Sequence, residues 1–395
     1  MQNRQESLAA WSLFAAACLL PGCDAGGGIE PNEPEPLELL YISAGAEHSC
    51  GVAPGGSAFC WGNGEAGRLG TGNTLTKLRP DAVLGGRAFR EVSAGARHTC
   101  AVETTGRAFC WGAGESGQLG VGNANGSAQP LAVAGDLEFI QLSAGVRHTC
   151  GVTSAGRAYC WGEGGKGQLG SGTTQDRLSP VPVEGDRRFV QISAGEEHTC
   201  AVGEPGIAYC WGEGENGQLG NGTTLDRLTP TPVDAVLAFR QVRVGGNHSC
   251  AVTTDDLAYC WGEGGRGQLG SGTSLDRLTP TPVVGGRRFL QIAAGTLHTC
   301  ALSEDARAYC WGEGDGGRLG TGNEDDRLSP QATLGTWTFA HISAGLAHTC
   351  ARTGASAEPA QPGGDADPFC WGVGSDGRLG NGDTNDQLSP RRVVR

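Results

Sequence analysis

Two side chains capable of chemistry recur on a fixed fifty-residue period. Histidines stand at His48, His98, His148, His198, His248, His298 and His348, and paired cysteines follow them at positions such as Cys200 and Cys210. Imidazole and thiolate are metal ligands and partners in nucleophilic catalysis. Every repeat also contains the string G-x-G-x-x-G, as in Gly112-Ala113-Gly114-Glu115-Ser116-Gly117, which matches the dinucleotide-binding fingerprint letter for letter. What these groups can do depends on the elements that carry them.

A period of this length, with no insertion between the anchoring histidines, marks stacked or radially arranged supersecondary units. A single unit cannot bury its own apolar face, so the repeats must form one body. In the sixth unit, Pro282-Val283-Val284, Phe289-Leu290-Gln291-Ile292, Thr299-Cys300-Ala301-Leu302 and Ala308-Tyr309-Cys310-Trp311 read as short strands punctuated by Gly, Asp and Pro. No segment past residue 37 has a helical apolar period, and 69 glycines provide for tight turns. The expected fold is all-β, a seven-bladed β-propeller of four-stranded blades. The first unit begins at Leu39-Leu40-Tyr41-Ile42 without a preceding Pro-x-x-Val strand, and the chain ends just after Pro390-Arg391-Arg392-Val393-Val394. The ring is therefore expected to close by the C-terminal strand joining the first blade, three strands from one terminus and one from the other.

On such a scaffold the three chemical signals lose their force. Equivalent histidines in different blades lie around a ring and do not converge at the ~2 Å distances of a metal site. They are expected to hydrogen-bond the backbone beside their own turns. The glycine string is followed by Gln118-Leu119-Gly120-Val121-Gly122, too glycine-rich to open the helix that would hold a pyrophosphate, so it reads as a turn between blades. No Ser-His-Asp order, Walker loop or H-E-x-x-H motif stands out. Asn381 to Asp386 lacks the complete loop of a calcium site. The tryptophans Trp61, Trp111, Trp161, Trp211, Trp261, Trp311 and Trp371 read as blade packing. No catalytic residue, metal or cofactor is expected.

The phrases A-G-x-x-H-[TS]-C, [FY]-C-W-G and G-[QR]-L-G-x-G resemble the regulator of chromosome condensation repeat, over residues 38 to 395. That resemblance implies a seven-bladed propeller. It implies little about activity, because the family includes a nucleotide exchange factor for a small GTPase, ubiquitin-ligase modules, a plant ultraviolet-B receptor and a bacterial β-lactamase inhibitor. The receptor places tryptophan between the A-G and the histidine, where this chain has Ala96-Arg97, Glu196-Glu197 or Thr296-Leu297.

The N-terminus points to export. Arg4 precedes an apolar run from Leu8 to Leu20, and Leu20-Pro21-Gly22-Cys23 is similar to a bacterial lipoprotein signal. Residues 1–22 then form a signal peptide, with Cys23 as the lipidated residue. Residues 23–37 carry the anchor and a flexible Gly-, Pro- and Glu-rich tether. A plain secretory signal is the alternative. Of 16 cysteines, Cys18 leaves with the signal and Cys23 carries lipid. The rest fall two per blade: Cys50 with Cys60, Cys100 with Cys110, Cys150 with Cys160, Cys200 with Cys210, Cys250 with Cys260, Cys300 with Cys310 and Cys350 with Cys370. Cys100 and Cys110 are equidistant from the Thr104-Thr105-Gly106 turn, which sets them opposite each other on one face. Disulfides follow in an oxidising compartment, with reduced buried cysteines and zinc ligation as alternatives. A net charge of −13 disfavours nucleic acid and anionic lipid as partners.

Between the fixed glycine and histidine lie the most divergent residues of the repeat. Glu47, Arg97, Arg147, Glu196, Glu197, Asn247 and Leu297 are the expected partner-binding residues on a loop face that the W-G-x-G-x-x-G loops share. The expected role is an exported, lipid-anchored, cell-envelope module that binds another protein, with the membrane met only through the anchor. An inhibitor of an extracellular enzyme is the alternative, and an enzyme or exchange factor using the central face is the rival from another class.

Overall fold

A computed structural model describes residues 37–354 and 366–395. The signal segment, Cys23 and nearly all of the tether lie outside the described residues, as does most of the insertion in the last hairpin. Twenty-eight strands, β1 to β28, form seven separate four-stranded antiparallel sheets. The first blade is β1 (Tyr41–Ala44), β2 (His48–Val52), β3 (Ala58–Gly62) and β4 (Lys77–Ala82). The seventh is β25 (Phe339–Ala344), β26 (His348–Thr353), β27 (Pro368–Gly372) and β28 (Gln387–Arg392). The described residues include no α-helix; the glycine string forms a loop with at most a three-residue 3₁₀ turn.

Burial follows from position in the blade. In β1, Ile42 and Ala44 are buried while Tyr41 and Ser43 face the central channel, the alternation of a strand with one wet face. The second and third strands are buried on both sides because a blade lies on each of their faces. The core is thus not inside a blade but between blades. One cluster joins Cys150, Val152 and Cys160 of the third blade to Phe189, Ile192 and Trp211 of the fourth. Another joins Cys350, Cys370 and Val393 of the seventh to Leu39, Ile42 and Trp61 of the first.

The expectation that the C-terminal strand completes the first blade is incorrect. β28 pairs with β27 in its own blade, Phe369 opposite Arg392 and Cys370 opposite Arg391. The expected phase was off by one strand, because the Pro-bearing strand ends each blade instead of opening the next. The loop before it makes an excursion onto the following blade, where the Gly72 N–H donates to the Ala128 carbonyl at 2.9 Å, and then returns to its own third strand. Each blade is therefore complete from consecutive sequence.

The seam is closed by packing and hydrogen bonds. Gly382 N–H donates to Leu78 O at 3.0 Å, Leu346 N–H to Gly45 O at 3.1 Å, and Ala44 N–H to Ser343 Oγ at 3.0 Å. Gly380, with φ of +68°, lies so close to the Trp61 indole that a Cβ would stand 2.6 Å from its Nε1. Only glycine accepts both that backbone and that contact.

The histidines also differ from expectation, for their partners lie in the next blade. His48 Nε2 is 2.8 Å from Thr99 Oγ1, and that hydroxyl donates to Arg68 O at 2.8 Å. With its proton used on the carbonyl, the threonine oxygen must accept, so the ring is the neutral Nε2–H tautomer. The same relay recurs at every boundary, including His348 to Ser49 to Arg378 O across the seam. In five blades the tryptophan Nε1–H shares that carbonyl, as Trp61 does with Arg378 O at 3.0 Å.

All seven cysteine pairs face each other across β-hairpins at bonding distance, with Cα atoms 4.1 Å apart. Cys350 and Cys370 keep this register across a separation of 20 residues where the others have 10. Strand register, not chain separation, sets the pairing. Each bridge would contribute up to roughly 2.5–3 kcal/mol by restricting the unfolded chain.

Two outcomes follow. Peptide mapping of the exported protein without reductant should recover Cys200 linked to Cys210 and Cys350 to Cys370; recovery of most of these cysteines as free thiols would contradict the pairing. Burial holds the joint histidines far below their ordinary range, His148 at about 4 and His98, His198 and His248 at about 3. Unfolded histidine takes up a proton near pH 6.5 and the folded rings do not. Stability is thus complete above that pH and falls by up to about 1.4 kcal/mol per pH unit per histidine as pH drops toward the folded values. Denaturant unfolding between pH 7.5 and 5 should show a steep loss with uptake of several protons, and a flat profile would refute the neutral, buried relay.

Candidate functional site

The A-G-x-x-H turns and the glycine loops emerge on one face, where they form two concentric rings. Each outer-ring backbone is held alike: Glu47 O accepts the Asn63 amide, Arg97 O the Ala113 amide and Glu197 O the Glu213 amide, at 2.9 Å in all three. The inner turns are linked to one another at five of the seven boundaries, as Ala46 N–H is to Gly95 O at 3.1 Å. Main-chain bonds fix the position of these residues, so their side chains are free to differ.

The expected partner-binding residues divide between the rings. Glu196 stands on the inner rim, beside Val146, Thr296 and Leu346, at the mouth of a cavity of about 310 Å³. Glu47, Arg97, Arg147, Glu197, Asn247 and Leu297 belong to the outer ring. Glu47 is already committed, since its carboxylate receives Nη1 of Arg68 at 3.0 Å and that guanidinium is 1% exposed. Arg97 and Arg147 make looser, exposed pairs with Glu65 at 3.4 Å and Glu163 at 3.5 Å. Such pairs are worth little and can exchange for a partner's charges. Lys166 binds Glu213 at 2.9 Å and Glu215 at 3.3 Å. Burial, then the nearby Glu213 carboxylate, pushes the Glu197 carboxyl above its ordinary value. The fourth blade thus presents a crowded acidic sector.

On the outer side, Arg187 and Arg287 do not form a free basic patch. Their guanidinium groups stack on Tyr209 and Tyr309, 4.9 Å and 4.0 Å from the ring centroids. Near Asp383, the Asp383 and Asp386 carboxylates accept the Asn385 and Gly374 amides. Among the described residues there is no cluster of three or more His, Cys, Asp or Glu suited to a metal ion.

Sequence reasoning overlooked the channel. Its wall is built from the first strand of each blade, in which a Gln two residues before the Ser joins neighbouring blades. Gln191 Oε1 accepts the Val242 amide at 2.8 Å, and Gln291 Oε1 the Ile342 amide at 3.1 Å. The following serine caps the next blade, as Ser143 Oγ does for the Ala194 amide at 2.9 Å. Five residues break this rule: Tyr41, Glu91 and His341 replace the glutamine, and Arg243 and Ala293 replace the serine. All but Glu91 are among the residues lining a cavity of about 120 Å³ around the axis, and Glu91 lies at the same strand position. The signal was available as departures from an otherwise regular column of repeats.

Comparison with known families matches the RCC1-like domain to residues 25–247 and the regulator of chromosome condensation (RCC1) repeat to residues 255–302, 305–352 and 368–395. A comparison with curated protein sequences finds no match. Among solved structures, the chain is similar to Prp20p from Saccharomyces cerevisiae at 22% identity and a TM-score of 0.74, covering 91% of this chain and 88% of that one. Human WBSCR16 aligns at 22% identity and a TM-score of 0.72, covering 78% of this chain and 85% of the other. At such identities these likenesses establish the fold alone. The repeat phrases, the seven blades and the family matches agree: this chain belongs to the family of regulator of chromosome condensation repeat propellers.

Proposed function

We propose that this chain is an exported, lipid-anchored propeller of the bacterial cell envelope that binds another protein through its A-G-x-x-H face and catalyses nothing. The observation that carries this reading is the contrast on that face, where identical backbone hydrogen bonds hold side chains that differ from blade to blade. A rigid ring of individually varied residues suits recognition of one irregular surface. The acidic sector around Glu196, Glu197, Glu213 and Glu215 favours a partner with basic groups there, and the apolar rim at Val146 and Leu346 offers a dry centre. Yeast RCC1 (Prp20) has been crystallised with Kap60, and the binding of Prp20p to Gsp1p and histones is described, so propellers of this fold serve protein recognition elsewhere.

Export rests on the leader at residues 1–22 and agrees with seven cysteine pairs at disulfide distance. Anchoring rests on Cys23 alone. Enzyme inhibition is the narrower form of the same reading, in which the face caps an extracellular active site.

Capture from solubilised envelope with the intact lipoprotein tests the proposal. Joint replacement of Arg97, Arg147, Glu196 and Glu197 by alanine should lose the partner that wild type retains, with stability changed by no more than about 0.5 kcal/mol per site. Cys23→Ala should release the protein from the membrane and leave capture intact. Undiminished capture by the fourfold variant would place the contact elsewhere, and equal membrane retention of Cys23→Ala would remove the anchor.

A further inference from the structure

We propose that the central channel holds a binding site for one small oxyanion, a carboxylate or a tetrahedral phosphate or sulfate, held by Arg243 within a ring of serine hydroxyls. The site is independent of the partner-binding face described above. It rests on one level of the channel wall, the serine position of each first strand. Ser43, Ser93, Ser143, Ser193 and Ser343 line the cavity there, and Arg243 takes the same position in the fifth blade. Ala293, at that position in the sixth blade, is the smallest member of the ring and crowds the guanidinium least.

Every polar side chain at that level has a hydrogen-bond donor to spare. Each serine oxygen accepts an amide of the next blade at 2.9–3.1 Å, and none of the five hydroxyls donates to an acceptor among the described residues. The one hydrogen bond from the Arg243 guanidinium among the described residues goes to the Val242 carbonyl next to it, at 3.2 Å. A guanidinium has five N–H donors, so four remain. No carboxylate among the described residues lies within 4.0 Å of it. Glu91, the one acidic residue in the seven first strands, is spent elsewhere: it has taken over the glutamine's role, and its carboxylate accepts the Leu142 amide of the third blade. Its charge acts on Arg243 at longer range, which weakens the hold on an anion instead of supplying one. Hydroxyl and guanidinium donors around one cavity match an oxyanion, whose hydrogen bonds to them are charge-assisted and, to the guanidinium fork, bidentate. A cation would face the guanidinium with no carboxylate beside it.

Size and access agree. A volume of about 120 Å³ corresponds to roughly four waters, or one oxyanion of about four or five non-hydrogen atoms. Neighbouring first strands touch all the way round, the seventh blade to the first included, so these side chains stand around one axis. The small residues one position further on, such as Ala144 and Ala194, border both this cavity and the wider mouth, which gives a path inward.

Calorimetric titration and thermal melts of the purified full chain with sodium acetate, sodium phosphate and sodium sulfate, against sodium chloride at matched ionic strength, test the site and separate the carboxylate from the tetrahedral anions. At least one of the three should bind one ion per chain and raise the melting temperature above the chloride control. Arg243→Ser and Glu91→Gln install the residues the repeat itself uses there, so both variants should fold. Arg243→Ser should weaken anion binding by about tenfold or more. Glu91→Gln removes a negative charge from the same wall and should bind the anion at least as tightly as wild type. Absence of binding by all three anions to the folded wild type would overturn the proposal. So would binding that survives Arg243→Ser, or binding that is lost in Glu91→Gln.

Discussion

The buried carbonyl at the end of each glycine loop, such as Gln168 O or Arg378 O, is the point on which the ring depends. It accepts the hydroxyl of a threonine or serine in the next blade, and that hydroxyl in turn accepts a histidine Nε2–H. In five blades it also accepts the next tryptophan indole. A carbonyl has two lone pairs, so one acceptor can hold two donors from the neighbour. Leaving these groups unpaired in the apolar interface would cost about 1–3 kcal/mol each. Register between blades is thereby specified by polar groups, while Trp, Phe and the cysteine pairs supply the buried area. A final strand shared between termini is not needed when the same joint also spans the seam.

Much of this was legible in the residues. The period announced the blades, and the glycines at positions such as Gly67 and Gly72 announced tight turns with close backbone approach. Cysteines equidistant from a hairpin turn announced their pairing, and Cys350 with Cys370 kept it across an insertion. What escaped was every relation reaching from one blade to the next. His48 and Thr99 are 51 residues apart, and a single repeat read alone offers no reason to join them. The same blindness misplaced Pro390 to Val394, since a loop that visits the next blade before returning is indistinguishable, in one dimension, from a connection that stays there.

Function sits where the framework releases its residues. On the A-G-x-x-H face the main chain is held by bonds that ignore side-chain identity, so Arg97, Glu197 and Asn247 vary at equivalent sites. Glu47 is the instructive exception, drawn back into structure by Arg68. In the channel the logic is reversed. The glutamines and serines there are structural, so replacing them with Tyr41, Arg243 and His341 gives up interblade bonds, while Glu91 keeps one to the Leu142 amide of the next blade.

The joint at the seam offers the most direct test, because two boundaries use the same residue type. Ser49 links the seventh blade to the first and Ser249 links the fourth to the fifth, each accepting a histidine and donating to a loop carbonyl at 2.9 Å. Denaturant unfolding of Ser49→Ala and Ser249→Ala should show losses of about 1–3 kcal/mol that agree within about 0.5 kcal/mol. A silent Ser49→Ala beside a destabilised Ser249→Ala would show that the ring is not closed through this joint.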